Sequence, residues 1–135
     1  MDFTEATLAF VGAVTACLPS DGWQAALLDI ELREVPEGFD SDYVGLVLVK
    51  GPAGALDQDQ FALGPEARQA AMALYMQRKE AAAEDNAGFV LEIEPSGAYR
   101  LRFKQSVKRL NGIWDQAEEE FIDQYLKHYL RERSQ

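Results

Sequence analysis

His128 is the only histidine and Cys17 the only cysteine in the sequence. A nucleophilic enzyme needs an activating base beside its nucleophile, and a structural zinc site needs four cysteine or histidine ligands. The chain has no second histidine, no cysteine pair, no phosphate-cradling glycine loop and no nucleophile elbow. His128 follows Phe121 by seven residues, near the same face of a helical segment, and reads as a partly buried histidine beside tyrosines. No catalytic residue, cofactor or metal site is therefore expected. Oxygen ligands occur in two close pairs, Asp40-Ser-Asp42 and Asp57-Gln-Asp59, but the glycine and distal glutamate of a calcium loop do not follow them. Asp40, Asp42, Asp57 and Asp59 read instead as solvated loop acids or as contacts with a basic protein, and they are the candidate partner-binding residues.

A second pattern is positive. Arg100, Arg102 and Lys104 stand at every other position of the stretch Glu94–Lys104, as they would on one face of a strand. A hairpin with Pro95-Ser96-Gly97 as its loop pairs Ile93 with Tyr99, Leu91 with Leu101 and Phe89 with Phe103 on the core side. On the other side Glu92 then faces Arg100, and Val90 faces Arg102. Cross-strand charge pairs of this kind use up part of the ribbon internally, so nucleic acid is not expected as a partner.

The overall charge points the same way. Of a formal net charge of -10, residues 1–64 carry -9, with eleven acids against Arg33 and Lys50. The remainder is nearly balanced. An acidic half favours a basic partner and repels nucleic acid. The single thiol suits a reducing compartment. Although Val14-Thr15-Ala16-Cys17 imitates a lipoprotein cleavage box, Met1-Asp2-Phe3-Thr4-Glu5 supplies no base before the apolar run, and no run is long enough to span a membrane. A cytoplasmic protein without membrane contact is the expectation.

The 135 residues, 47% of them hydrophobic, suit one domain over 1–135. Asp2-Phe-Thr-Glu5 has capping-box spacing and opens a helix that Pro19 stops. Trp23–Val35 alternates as a half-buried strand, with Leu28, Ile30 and Leu32 inward and Asp29, Glu31 and Arg33 outward. A loop over Pro36–Asp42 leads to the two-sided apolar strand Tyr43–Lys50, expected at the sheet centre, and Asp59–Leu63 is a candidate short edge strand. Gly64-Pro65 opens a second helix with Ala67, Ala70, Ala71, Leu74 and Tyr75 inward, a solvated Arg78-Lys79-Glu80 end, and Asn86 and Gly88 as terminators. After the hairpin and the turn Arg109–Gly112, Trp114–Arg131 reads as a last helix whose wide apolar surface includes Phe121, Tyr125 and Tyr129, a candidate dimer surface. The predicted fold class is α+β, an antiparallel sheet of four to five strands with three helices in the order α-β-β-(β)-α-β-β-α.

Pro19-x-x-Gly22-Trp23 leading into an acid-bearing strand, a second strand near Tyr43, an amphipathic helix and the hairpin Leu91–Phe103 together resemble the YezG-like family of small bacterial immunity proteins. In place of that family's aromatic-rich C-terminal segment the chain has a long acidic one. The element order and acidity are also similar to class I type III secretion chaperones and YbjN-like domains, which are dimeric protein-binding modules. Both resemblances imply a noncatalytic binder of another protein, either a toxin-neutralising protein or a chaperone-like homodimer.

Overall fold

The computed structural model describes residues 2–51, 54 and 56–113. It has α+β architecture. One five-stranded antiparallel sheet has the order β3-β2-β1-β4-β5, built from β1 (Trp23–Val35), β2 (Gly38–Lys50), β3 (Leu56–Gln60), β4 (Gly88–Ile93) and β5 (Tyr99–Phe103). Helices α1 (Phe3–Thr15) and α2 (Pro65–Glu80) pack against each other. The third helix expected over Trp114–Arg131, with its candidate dimer surface Phe121, Tyr125 and Tyr129 and with His128, lies outside the described residues.

Local chemistry sets the helix starts. Asp2 caps α1, its carboxylate accepting the Glu5 N–H at 2.8 Å. Pro65 occupies the first turn of α2, where its missing N–H costs no hydrogen bond. That helix ends at Glu80, with Ala82 in the left-handed region, before Asn86 and Gly88 are reached.

Residues opposite one another in antiparallel strands share a face. On the first face Ala26, Leu28, Ile30, Leu32, Val47, Phe89, Leu91 and Ile93 form the main core with Phe10 and Val14 of α1 and Ala67, Ala71 and Leu74 of α2. Phe10 and Phe89 join the layers at a ring separation of 5.4 Å. The small alanines of α2 allow close packing, as their spacing predicts.

The second face is also buried. Ala25, Leu27, Leu46 and Leu48 form a separate apolar cluster there, flanked by Val44 and Val90. This corrects the reading of β1 as half-solvated: Asp29 is 2% and Glu31 0% exposed. Burial on both faces also makes β1 the central strand, with β2 next to it.

Three further boundaries differ from expectation. Pro36 and Glu37 form a two-residue turn and Val35 pairs with Gly38, so Asp40 and Asp42 lie within β2 and not in a loop. The short strand runs Leu56–Gln60, three residues earlier than Asp59–Leu63, because Phe61 turns away and Leu63 is buried in the main core. Arg78 is not a solvated helix end. Its guanidinium lies 3.4 Å from the centre of the Phe103 ring and pairs with Asp85.

Candidate functional site

Among the described residues the densest group of charges lies on the second sheet face. Asp29 and Glu31 sit two apart on β1, so strand alternation points both to that side. Lys104 directly follows β5, and its N–H donates to the Gly88 carbonyl. Gly88 pairs with Glu31 and places no side chain between that residue and Lys104. The ammonium of Lys104 then reaches Asp29 Oδ1 at 2.8 Å and Glu31 Oε2 at 3.1 Å.

The segment after β5 closes the group. Glu31 Oε1 accepts the backbone N–H groups of Lys108 at 2.9 Å and Leu110 at 3.2 Å. Arg109, in the 3-10 turn Arg109–Asn111, bonds Asp29 Oδ1 at 2.9 Å and also pairs with Asp42. Burial pushes the Glu31 carboxyl up, but those two N–H groups and Lys104 outweigh it and hold the carboxyl below its ordinary range. Burial likewise lowers Arg109, while the charges of Asp29 and Glu31 and the bond to Asp42 raise it overall. A carboxylate held ionised in this way is poorly matched to proton transfer near neutrality. The group instead clamps residues 104–110 to the centre of the sheet. Sequence reading missed it, although Asp29 and Glu31 inside a long apolar strand, with a lysine on the same face two strands away, were its signal.

The four aspartates assigned to partner contact do not form one patch. Asp40 and Asp42 lie on the second face near the start of β2; Asp40 pairs with Arg33 at 3.2 Å, and Asp42 with Arg109. Asp57 and Asp59 pair with Val49 and Val47 on β3 and so lie on the first face, beside the other end of β2. Both are exposed, and among the described residues no ion pair engages either. Asp59 Oδ1 accepts the Gln60 N–H at 2.8 Å.

The basic ribbon is also divided. Lys104 is internal and Arg102 bonds Glu92 at 3.3 Å, diagonal to the Glu92–Arg100 register pair, while Arg100 is exposed. Cys17 is half-buried between the helices, its sulfur 3.4 Å from both the Ala13 carbonyl and the Gly64 N–H. Among the described residues no three acids, histidines or cysteines are placed to hold a metal ion, and no helix is long and apolar enough to cross a membrane.

Comparison of the chain with protein-family models, with curated proteins and with solved structures finds no match in any of the three.

Proposed function

We propose that the chain is a noncatalytic protein-binding domain whose partner is a basic protein, a toxin neutralised by binding being the specific form of that reading. The observation that carries it is how the charges are used. The described bases are largely engaged with acids of their own chain: Arg33 with Asp40, Arg78 with Asp85, Lys79 with Glu34, Arg102 with Glu92, and Lys104 and Arg109 with the buried carboxylates. Asp21, Glu37, Asp57 and Asp59 are exposed and joined to no described base. Their field is left to act outward, where it speeds encounter with a cationic surface and weakens as salt rises.

Affinity capture on the immobilised chain at low and high salt, followed by association kinetics on the retained protein, tests this. A basic protein should be retained at low salt, and Asp57→Asn with Asp59→Asn should slow its association. An unchanged rate at low salt would remove these residues from the reading.

A second reading, a chaperone-like homodimer, is supported by the element order α-β-β-β-α-β-β of the described residues, which is the order common to the modules it is similar to. Sedimentation across a wide concentration range tests it, and a monomer throughout would exclude it.

A further inference from the structure

Among the described residues the sheet is incomplete along one side of β2. That strand runs Gly38–Lys50, but β3 pairs only with Leu46–Lys50, and the chain turns away once Phe61 N–H has reached the Gly45 carbonyl at 3.1 Å. In an antiparallel strand the main-chain groups of successive residues point alternately to the two neighbours. The Gly45 carbonyl faces the β3 side, and Lys50 N–H faces the other way, towards Gly22 at 2.9 Å. By alternation Phe39, Ser41 and Tyr43 turn both N–H and C=O outward. Among the described residues no group hydrogen-bonds these main-chain donors and acceptors. The open lane from Gly38 to Val44 is about 23 Å long at about 3.3 Å per residue, enough for one added strand.

The other free edges differ. On β3 the outward N–H of Gln60 is already satisfied by Asp59 Oδ1. The edge of β5 is flanked by Arg100 and Arg102. Among the described residues the β2 lane is the longer free edge that carries acids: β3, with Asp57 and Asp59, runs only Leu56–Gln60, whereas the lane runs Gly38–Val44 beside Asp40 and Asp42, which are 49% and 44% exposed. Each of these carboxylates gives Oδ2 to an arginine, Asp40 to Arg33 and Asp42 to Arg109, and keeps Oδ1. The same acids oppose two-fold pairing of β2 with a second copy. Pairing centred on Ser41 would set Asp40 opposite the other copy's Asp42, and like charges directly opposed are destabilising.

We propose that the β2 edge between Gly38 and Val44 binds an extended, basic segment of a partner protein as an added strand, with lysines or arginines at alternate positions facing Asp40 and Asp42. This rests on the basic-partner reading above and adds where and in what conformation the partner is held.

The probes are a nine-residue peptide of alternating lysine and threonine, its counterpart with glutamate for lysine, and a lysine peptide N-methylated at alternate amides, each titrated into the 135-residue chain at low salt. The lysine peptide should slow hydrogen exchange of the Ser41 and Tyr43 amides at least tenfold at saturation. Backbone methylation should weaken its binding at least tenfold, and the glutamate peptide should not bind. Ser41→Pro, which removes an outward N–H and no ladder bond, should weaken it equally; where that variant fails to fold, the methylated peptide carries the test.

Equal binding by the methylated peptide, without protection of these amides, would overturn the edge inference and leave the basic-partner reading standing. Failure of the lysine peptide to bind would also overturn it, while salt-dependent capture judges the wider reading separately. Self-association in sedimentation that Ser41→Pro abolishes would assign the edge to a second copy and overturn the proposed occupant.

Discussion

Lys104 Nζ stands 2.8 Å from Asp29 Oδ1, with both side chains more than nine-tenths buried. The pair ties the chain beyond β5 to the middle strand. Removing Lys104 takes an ammonium from Asp29 and Glu31, which keep Arg109 and two main-chain N–H groups as partial compensation. Lys104→Met should therefore cost up to about 3–5 kcal/mol of unfolding free energy, measured as a lower urea midpoint. A loss below about 1 kcal/mol would show that Arg109 and the main-chain donors compensate the carboxylates without it.

Glu31 makes stability depend on pH. Its folded carboxyl is held below the ordinary value of 4.5, so the folded state binds its proton less readily than the unfolded chain. The resulting stabilisation is fully present above the unfolded value and is lost as pH falls through the folded one. Urea midpoints between about pH 7 and pH 3 should hold steady and then fall below about pH 4.5, with a shallower fall in Glu31→Gln. Parallel curves for the two proteins would contradict the assignment.

Two glycines should respond in opposite directions. At Gly88, with φ +137°, an added Cβ would lie 2.0 Å from the Ile30 carbonyl oxygen, so Gly88→Ala must push β1 and β4 apart. A loss of at least about 2 kcal/mol is expected. Gly12 sits on the exposed side of α1 with nothing within 4 Å of a new Cβ. Gly12→Ala should stabilise by about 0.5–1 kcal/mol. Thermal melts of the two variants test both signs.

Arg78 stacks on Phe103 and also bonds Asp85 and its carbonyl. A lysine offers neither the flat face nor the fork. Arg78→Lys should lose about 1–2 kcal/mol in denaturant titration, and an unchanged midpoint would show that the charge alone matters.

What the sequence disclosed was local chemistry. The loop Pro95-Ser96-Gly97 determines the hairpin register, and the pairs Ile93–Tyr99, Leu91–Leu101 and Phe89–Phe103 follow from it. Asp2 and Pro65 mark their helices, and Trp23 and Val35 bound β1 as read. The misreadings concern what lies across the fold. Alternation in β1 suggested one wet face because Asp29 and Glu31 are acids, and nothing near them in sequence announces Lys104 and Arg109, more than seventy residues away. Asp40 and Asp42 resemble loop residues in sequence because Pro36, Gly38, Asp40, Ser41 and Asp42 are all turn-forming types, whereas only Pro36 and Glu37 form the turn. The separation of the four aspartates onto two faces follows from register, which a list of acidic pairs does not contain.

Capture of binding proteins at low and high salt, on the wild-type chain and on Asp57→Asn with Asp59→Asn, tests the central claim most directly. The account predicts a basic protein retained at low salt, released at high salt, and bound more slowly by the variant. Retention of an acidic protein, or of one indifferent to salt, would contradict it.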